Sequence, residues 1–323
     1  MPKNKLVSIV ISAYNEQDNV GELYKQLKEN LKATKDVDFE FVYVDDGSSD
    51  KTYEKCLSLQ KKDERIKIVQ LKRNFGHEIA MTAGMDYAKG DAVIFMDADL
   101  QHPPVYIPQM IEMWQQGNEI VLTKRLDNKA TSGLYKFCAK TFYFILNKLS
   151  DTKIMESAPD FRLLDRKYVD FLKGFNEQDR LFRGLLSWVL PKDRVAMIDF
   201  VAPERFSGES KYNFAKSLQL ALNSILQFSV KPMRLATYLG LLSALAALLL
   251  GAFVFVEHFF LHNPTPGYAT IMVTVVFLGA VQLICLGIIG EYIGKIHIEV
   301  KKRPLYMADY VERKEKSRDK KDI

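Results

Sequence analysis

The chain has 323 residues, of which 48% are hydrophobic and 26% are charged, as in ordinary globular proteins. This composition excludes a disordered chain, a collagen and a coiled coil, and the net charge of +5 is too small to indicate nucleic-acid binding by itself. The three cysteines, Cys56, Cys138 and Cys285, lie far apart without a C-x-x-C pair. A disulfide framework and a cysteine zinc site are therefore both disfavoured, and a reducing compartment fits.

The first two thirds of the chain alternate predicted strands with predicted helices. Apolar runs of strand type occupy residues 6–12, 39–45, 66–71 and 92–97, and helical patterns occupy residues 16–32, 49–61 and 78–88. This alternation predicts an α/β domain with a mostly parallel sheet and helices on both faces. Such sheets bind their ligands at the carboxyl ends of the strands. Polar residues at those ends are therefore the first candidates for a functional site.

Three of the predicted strands end in polar or acidic clusters. The clusters are Ala13-Tyr14-Asn15-Glu16, Asp45-Asp46-Gly47-Ser48-Ser49-Asp50 and Asp97-Ala98-Asp99. Helix capping explains single Asp, Asn and Ser residues at such positions, but it does not explain Asp97 and Asp99 together. Two carboxylates directed at one point repel each other, and a divalent cation such as Mg²⁺ or Mn²⁺ relieves the repulsion. Three acidic strand ends at one edge of a sheet therefore predict a metal site.

Other kinds of site are not found in the sequence. No G-x-G-x-x-G opens a helix after the first strand, and neither a P-loop motif nor H-E-x-x-H occurs. Residues 208–212 lack the final glycine of a nucleophile elbow. A dinucleotide fold of Rossmann type and a P-loop enzyme are therefore disfavoured. His77 and His102 fall near strand ends, where they either support the site or act as surface or capping residues.

The composition changes sharply after residue 234. No Asp, Glu, Lys or Arg occurs at 235–256, and a second uncharged stretch at 258–290 begins with a turn. Each stretch contains the ~20 apolar residues needed to cross a hydrocarbon core of ~30 Å. We therefore predict two membrane spans, at about 235–257 and 269–291, that form a hairpin. The alternative is a pair of buried core helices.

Positively charged residues flank both predicted spans on the same side. Two basic residues precede the first span, four follow the second, and the connecting loop has none. These residues are Lys231, Arg234, Lys295, Lys301, Lys302 and Arg303. The positive-inside rule then places both ends of the chain in the cytoplasm. The first residues run straight into a strand pattern and contain no apolar core of a signal peptide.

The predicted organisation has four parts. A cytoplasmic domain at 1–212 is followed by an amphipathic helix at 213–232, the two spans at 233–293 and a basic tail at 294–323. The helix either lies in the membrane plane at the interface or packs on the cytoplasmic domain. The tail either contacts anionic lipid headgroups or is solvated.

Five motifs together resemble a known family. They are Ala13-Tyr14-Asn15-Glu16, Asp45-Asp46-Gly47-Ser48, Asp97-Ala98-Asp99-Leu100-Gln101-His102-Pro103-Pro104, Asp160-Phe161-Arg162-Leu163 and Arg205-Phe206-Ser207-Gly208-Glu209-Ser210-Lys211-Tyr212. The chain is similar to family-2 glycosyltransferases of the GT-A fold that act on polyprenyl phosphates, a group that includes dolichol-phosphate mannose synthases. It is most similar to the bacterial undecaprenyl-phosphate glucosyltransferases. The resemblance covers almost the whole length, including the hairpin.

The resemblance implies a role for each matching position. The nucleotide sugar would be held by Ala13, Tyr14, Glu16, Asp45, Asp46, Asp97, Ala98, Asp99, Arg205 and Lys211. Asp97, Asp99 and Gln101 would hold Mg²⁺ or Mn²⁺, and the lipid phosphate would be bound by Arg125, Lys136 and Arg162. Lys136 stands where an arginine is common in relatives, and a lysine lacks the bidentate fork.

The two catalytic residues implied by the resemblance are Asp160 and Arg205. Arg205 would clamp phosphate oxygens, and Asp160 would orient the acceptor or take its last proton. The second pKa of a phosphate monoester is near ~6, so the acceptor is largely ionised at neutral pH and needs no strong base. The alternative for Asp160 and Arg162 is a structural ion pair.

The implied reaction is an inverting transfer of a sugar from a nucleotide sugar to undecaprenyl phosphate at the cytoplasmic membrane face. UDP-glucose is the first expectation for the donor, followed by UDP-N-acetylhexosamines and GDP-mannose. The resemblance also implies a homo-oligomer such as a tetramer. A separate flippase and a downstream transferase are expected as partners, whereas nucleic acid is not.

Three alternatives to this function remain open. A processive polysaccharide synthase shares the fold, but it would carry Gln-x-x-Arg-Trp and more spans, and neither is found. Transfer to a hydroxyl acceptor would make a general base indispensable. A catalytically silent membrane scaffold that binds nucleotide sugars would be expected to have lost Asp97 or Asp99, and both are present.

Overall fold

The computed structural model describes residues 4–32, 34, 36–126, 159–178, 180–191, 193–203, 229–256 and 267–311. The chain divides into two compact units. The first, here called the sheet unit, contains the described residues up to 203 and those from 304 onward. The second, the helical unit, contains the described residues between 229 and 303.

Eight strands within the described ranges form a single sheet. They are β1 (Lys5–Ala13), β2 (Val37–Asp45), β3 (Ile66–Leu71), β4 (Ala92–Asp97), β5 (Ile120–Arg125), β6 (Arg162–Asp165), β7 (Val195–Phe200) and β8 (Ala308–Val311). Their order in the sheet is β7-β5-β6-β4-β1-β2-β3-β8. The pairs β1–β2, β1–β4, β2–β3 and β5–β7 are parallel, whereas β6 and β8 run antiparallel to their neighbours. The predicted α/β fold with a mostly parallel sheet is therefore confirmed.

Six described helices belong to the sheet unit and two to the helical unit. They are α1 (Val20–Leu31), α2 (Thr52–Gln60), α3 (His77–Tyr87), α4 (Ile107–Gln115), α5 (Arg166–Lys173), α6 (Phe182–Val189), α7 (Lys231–Val256) and α8 (Tyr268–Val300). A 3-10 turn at Pro104–Tyr106 leads into α4.

The core of the sheet unit forms because β1, β2 and β4 are apolar on both faces, as expected for strands covered by helices on each side. Helix α1 shows how a covering helix is specified. Its buried residues Val20, Leu23, Leu27 and Leu31 recur every three or four positions and make one apolar face. The helix begins at Val20 rather than at the predicted residue 16; the backbone N–H groups of Glu16 and Gln17 instead donate hydrogen bonds to side chains that follow β2.

Strand β8 was not predicted from the sequence. Neither alternative for the tail, lipid contact or solvation, describes residues 308–311, which pair with β3. The ring of Tyr310 stacks on Tyr87 with centroids 4.5 Å apart. The hydroxyl of Tyr306 donates a hydrogen bond of 2.8 Å to Oδ2 of Asp86. These contacts with α3 help to hold the strand at the edge of the sheet.

The helical unit contains the two predicted spans. Helices α7 and α8 have 26 and 33 residues, and both are long and apolar enough to cross a membrane. The alternative of buried core helices is not supported, because large apolar side chains such as Leu248 and Leu283 are about two thirds exposed. Within this unit, the hydroxyl of Tyr292 donates a hydrogen bond of 2.5 Å to the carbonyl of Ser229. The predicted interfacial helix lies outside the described residues apart from its last four positions, of which Lys231 begins α7.

Candidate active site

The predicted strand ends meet at the carboxyl edge of the sheet. In the parallel register Ala13 lies opposite Asp45, and Ser12 lies opposite Asp97. The carbonyl of Ala13 accepts a hydrogen bond of 2.9 Å from the backbone N–H of Asp46. Strands β2 and β3 extend to one side of β1, and β4 lies on the other, so the topology switches direction at this point. Open α/β sheets bind ligands at such a switch point.

Asp45 has a buried carboxylate that is only half satisfied. Asp45 is only 1% exposed. Oδ1 accepts a hydrogen bond of 3.2 Å from the backbone N–H of Ser48, but Oδ2 has no partner among the described residues. Burial raises the pKa of Asp45 above its ordinary value. Because buried polar atoms are nearly always hydrogen-bonded, Oδ2 is a candidate acceptor for an N–H group of a ligand.

Asp46 holds the loop that connects β3 to α3. Its two carboxylate oxygens accept hydrogen bonds from the backbone N–H groups of Phe75 (2.8 Å) and Gly76 (3.0 Å). The neighbouring Gly47 has φ +63°, and a Cβ atom there would lie 2.4 Å from the carbonyl carbon of Arg73. Only glycine fits this approach. The structure thus gives Asp46 a loop-holding role, and its predicted contact with the ribose stays a prediction.

The backbone of the first cluster, residues 13–16, is hydrogen-bonded to the segment that follows β2. The backbone N–H of Asn15, a residue with φ 56°, donates a hydrogen bond of 2.9 Å to Oγ of Ser48. The N–H of Glu16 donates a hydrogen bond of 2.8 Å to Oγ1 of Thr52. The ring of Tyr14, by contrast, is 36% exposed. Tyr14 can therefore contact a ligand, whereas its neighbours fix the backbone.

Asp97 is oriented by groups from three other parts of the chain. The hydroxyl of Ser12 donates a hydrogen bond of 2.7 Å to Oδ1, and Nδ1 of His77 lies 3.3 Å from the same oxygen. The backbone N–H of Asp97 donates a hydrogen bond of 3.0 Å to Nδ1 of His102. Burial lowers the pKa of His102, and its ring stacks on Phe161. His102 is thus a neutral supporting residue, with its proton on Nε2.

Asp99 lies in a tight turn after β4. Its Oδ1 accepts a hydrogen bond of 3.0 Å from the backbone N–H of Gln101, and the intervening Leu100 has φ 64°. Ala98 is buried and donates its N–H to the carbonyl of a β1 residue. No group of three His, Cys, Asp or Glu side chains within the described ranges is arranged to hold a metal ion. The carboxylates of Asp97 and Asp99 supply hard oxygen ligands, so a divalent ion here would take its other ligands from a substrate or water.

Asp160 is the centre of a second charged cluster. Its Oδ1 is paired with the guanidinium of Arg162, a residue with 2% exposure. Its Oδ2 lies 3.3 Å from Nε2 of His77 and 3.5 Å from Nη2 of Arg183. Burial, followed by the charge of Arg183, lowers the pKa of Arg162 to about 9, so the guanidinium remains charged at neutral pH. The Arg162 guanidinium also lies 5.2 Å from the ring centroid of Phe182.

This geometry favours the alternative of a structural ion pair for Arg162. A fully buried guanidinium that is already paired with Asp160 is not presented to a lipid phosphate. Arg125 is exposed at the carboxyl end of β5, on the same edge of the sheet. The other predicted phosphate ligands, Lys136, Arg205 and Lys211, lie outside the described residues.

Three residues of the site carried little signal in the sequence. Ser12 reads as an ordinary strand residue, and Arg183 as an ordinary helix residue. His77 stood out only as a histidine near a strand end. In the structure it joins the two acidic clusters, because its ring nitrogens lie 3.3 Å from Asp97 and 3.3 Å from Asp160.

Comparison with known proteins places the chain in a family. Residues 8–172 match Glycosyl transferase family 2, and residues 231–296 match the GtrB C-terminal hairpin. An uncharacterised glycosyltransferase of Synechocystis sp., sll0501, is 42% identical over 94% of this chain and 94% of its own length. The SfII prophage-derived bactoprenol glucosyl transferase of Shigella flexneri is 40% identical over 93% of this chain and 96% of its own length.

A solved structure with a similar fold is glucosyl-3-phosphoglycerate synthase from Mycobacterium tuberculosis in complex with Mn²⁺, UDP-glucose and phosphoglyceric acid. It is 17% identical over 69% of this chain and 78% of that chain, with a TM-score of 0.48. This likeness is too weak for an argument about substrate or metal. The match to the family, the two full-length relatives and the pair of long apolar helices lead to the same assignment. The chain is a membrane protein that belongs to glycosyl transferase family 2 and carries the GtrB type of C-terminal hairpin.

Proposed function

We propose that this glycosyltransferase moves a sugar from a nucleotide sugar to polyprenyl phosphate at the cytoplasmic face of the membrane. The observation that carries the proposal is the edge of the sheet where Asp45 ends β2 and Asp97 and Asp99 lie at the end of β4, on the two sides of β1. That edge combines a buried acceptor oxygen with hard metal ligands. A nucleoside diphosphate sugar presents the complementary groups, a base N–H and a diphosphate. The bactoprenol glucosyl transferases at 40% identity support a lipid phosphate as acceptor.

The donor is proposed to be UDP-glucose. The N3–H of uracil is a donor that matches the unpartnered Oδ2 of Asp45, and the exposed ring of Tyr14 lies after the neighbouring strand. The names of the glucosyl transferase relatives favour glucose as the sugar. UDP-N-acetylhexosamines and GDP-mannose are the next candidates.

A divalent metal ion fits the residues at the end of β4. Asp97 and Asp99 would hold Mg²⁺ or Mn²⁺, with Gln101 in support, since hard cations prefer carboxylate and phosphate oxygens. When bound, the ion neutralises negative charge that develops on the leaving diphosphate. Ser12 and His77 keep the Asp97 carboxylate in place before the substrate arrives.

Transfer by single displacement would invert the configuration of the sugar carbon. The acceptor is already an anion at neutral pH, because the second pKa of a phosphate monoester is near ~6. Asp160 is therefore proposed to act as a weak base that takes the last proton of the acceptor or, if no proton remains, to orient it, with its position fixed by the buried Arg162. Arg205 and Lys211, which follow the described part of the sheet unit, are proposed to clamp phosphate oxygens.

The site is proposed to face the cytoplasm, with α7 and α8 as two spans. Positive charges at both ends of the hairpin support this orientation. The pairing of β8 with β3 supports two spans rather than one, since strands of one sheet lie on one side of a bilayer. The chain between them then crosses an even number of times. The same proposal includes a separate flippase, because two spans are too few for a transport path. It also includes a homo-oligomer and a downstream transferase.

One panel of assays tests the proposal. The purified full chain is incubated with undecaprenyl phosphate, Mg²⁺ and each nucleotide sugar in turn, and lipid-extractable sugar is measured. We expect glucose transfer from UDP-glucose. The variant Asp45→Asn is expected to weaken UDP binding by about tenfold or more, because hydrogen bonds to a charged group contribute about 1.5–3 kcal/mol. The exposed Asp18→Asn is the matched control.

Two results would contradict the proposal. Sugar transfer to a hydroxyl lipid but not to the phosphate would show a different acceptor class. Binding of UDP without turnover on any donor would support the silent scaffold instead.

A further inference from the structure

Arg183 is a cation of the Asp160 cluster that is only partly engaged. Arg162 in the same cluster is buried and paired. Arg180, which precedes α6, is buried and donates a hydrogen bond of 3.0 Å to the carbonyl of Leu172. The side chain of Arg183, at the second position of α6, is instead 34% exposed. It is therefore the arginine of this group that a ligand can reach.

The contacts of Arg183 leave most of its donors available. Its Nη2 lies 3.5 Å from Oδ2 of Asp160, beyond the usual range for an N–H···O bond. Its Nε is buried and has no hydrogen-bond partner in the described part of the chain. A guanidinium carries five N–H donors in a planar fork. The single long contact with Asp160 thus engages only one of the five donors.

The neighbouring acids are already occupied by other partners. Asp160 is paired with Arg162 through Oδ1, and His77 approaches its Oδ2. Glu78 accepts the backbone N–H of Phe182 over 2.7 Å. Within the described residues, the only ion pair of Arg183 is thus the 3.5 Å contact with Asp160. This state is typical of an arginine that binds an anion, because a guanidinium fork matches a phosphate bidentately.

The position of Arg183 connects it to the predicted diphosphate ligands. His77 lies 3.3 Å from Asp160 on one side and 3.3 Å from Asp97 on the other. Two residues, Asp160 and His77, thus connect Arg183 to the predicted metal ligand Asp97. Both substrates of the proposed reaction are phosphates, and they would be repelled by Asp97, Asp99 and Asp160 without nearby cations.

We propose that Arg183 binds a phosphate group of a substrate and moves its donors from Asp160 to that phosphate when the substrate arrives. This inference rests on the proposed function. The phosphate belongs either to the lipid acceptor or to the diphosphate of the donor, and the chemistry of recognition is the same for both.

The test compares two replacements that separate charge from hydrogen bonding. Arg183→Gln keeps a neutral donor near Asp160 but loses the charge, whereas Arg183→Lys keeps the charge. Both are made in the full chain, with Arg194→Gln as the control, since Arg194 is an exposed arginine of the same unit. We expect Arg183→Gln to raise the KM of one phosphate substrate about tenfold or more, and Arg183→Lys, which keeps the charge but lacks the bidentate fork, to recover only part of the loss. The substrate whose KM rises identifies the phosphate.

Other outcomes overturn the inference. Unchanged KM values for both substrates in Arg183→Gln, with or without a lower kcat, would show that the residue only positions Asp160. Thermal melting checks that the variants are folded. If Arg183→Gln does not fold, Arg183→Met takes its place with the same expected KM.

A failure of the proposed function is distinguishable from a failure of this inference. If the wild-type chain transfers no sugar to polyprenyl phosphate, the proposed function fails. Binding of UDP and of decyl phosphate micelles is then measured directly for wild type, Arg183→Gln and Arg183→Lys. Weaker binding of either probe to the glutamine variant than to wild type, with the lysine variant in between, still supports phosphate binding by Arg183, and equal binding by all three refutes it.

Discussion

The hydroxyl of Ser12 donates a hydrogen bond of 2.7 Å to Oδ1 of Asp97. The two residues lie opposite each other in the parallel register of β1 and β4. A strand at the centre of the sheet therefore orients a carboxylate that ends the neighbouring strand. The carboxylate is held before any ligand binds, so ligand binding loses no side-chain conformational entropy by fixing the rotamer of Asp97.

We predict that Ser12→Ala raises the Mg²⁺ concentration that activity requires without unfolding the chain. A hydrogen bond to a charged group contributes about 1.5–3 kcal/mol, so the Mg²⁺ concentration for half-maximal turnover should rise about tenfold or more. Titration of turnover with Mg²⁺ measures the change. Ser58→Ala, which removes an exposed hydroxyl from α2, is the control. An unchanged titration curve would show that Asp97 does not need Ser12.

We predict that Asp99→Ala abolishes turnover while the protein stays folded and bound to the membrane. The carboxylate accepts a hydrogen bond from Gln101 N–H, but the turn it caps is short, so the fold should tolerate its loss. Turnover of the wild type should also stop in excess EDTA and return with added Mg²⁺ or Mn²⁺. Activity that survives both treatments would rule out the metal site.

We predict that Asp160→Asn lowers both turnover and thermal stability. The change leaves the charge of Arg162 buried without its partner, and breaking a buried ion pair costs about 3–5 kcal/mol. The double variant Asp160→Asn with Arg162→Met should recover the melting temperature but not the turnover. Recovery of both would show that Asp160 serves the fold alone.

The same variant tests the weak-base mechanism. We expect its defect in turnover to shrink as pH rises from about 6 to 8, because the acceptor phosphate loses its last proton near ~6. Arg205→Ala should lower turnover at least as much, since one preorganised donor contributes on the order of 10²–10³ in rate. A larger and pH-independent defect in Asp160→Asn would indicate a hydroxyl acceptor or an orienting role.

A buried ion pair in the sheet should make stability fall in acid. Burial acts to raise the pKa of Glu40, but its hydrogen bonds, above all those from Lys67 and Ser8, outweigh burial and hold that pKa below the ordinary value. The unfolded chain therefore binds this proton more readily than the folded chain. The stabilisation is complete above the ordinary pKa of ~4.3 and is lost as pH falls through the lower folded value.

We predict that Glu40→Gln lowers stability by about 3–5 kcal/mol at pH 7, because Lys67 stays buried without its counter-charge. The difference from wild type should shrink as pH falls below ~4.3, where Glu40 in the unfolded chain becomes protonated, and further as pH falls through the lower pKa of the folded chain. Melting temperatures at several pH values measure both effects. A constant difference between pH 7 and 3 would contradict the assignment.

We predict that a cysteine at Asn263 is labelled from outside intact cells by an impermeant thiol reagent. The loop between the spans has no Lys or Arg, which favours export. Cysteines at Asn4 and Ser317 should be labelled only after the cells are broken. Labelling at Ser317 but not at Asn263 would invert the topology.

The sequence predicts those parts of the structure that have a pattern within one short segment of the chain. The apolar runs that became β1 to β4 and the acidic residues at their ends have fixed positions along the chain, and a parallel sheet brings such ends together. The two long apolar stretches predict α7 and α8 in the same way. The resemblance to family-2 glycosyltransferases is confirmed, because residues 8–172 match that family and a bactoprenol glucosyl transferase is 40% identical over 93% of the chain.

The remaining features depend on contacts between distant parts of the chain. His77 and Asp160 are 83 residues apart, and no periodicity links them. Arg162 was predicted to face a lipid phosphate, whereas in the structure it is buried and paired with Asp160. A motif gives the identity of a residue but not its burial. Strand β8 has only four residues and lies in a charged tail, so its pairing with β3 had no local pattern to indicate it.

The pairing of β3 with β8 also has a consequence for biosynthesis. Lys72 and Asp309 form an ion pair across 237 residues of chain. A ribosome that adds about 5–20 residues per second therefore needs roughly 10–50 s between the two partners. During that interval both hydrophobic helices emerge while the outer edge of β3 has no neighbouring strand, and an open edge is a site for wrong pairing. A nascent chain that stops before Ala308 never closes that edge, which makes it a natural substrate for chaperones and quality-control proteases.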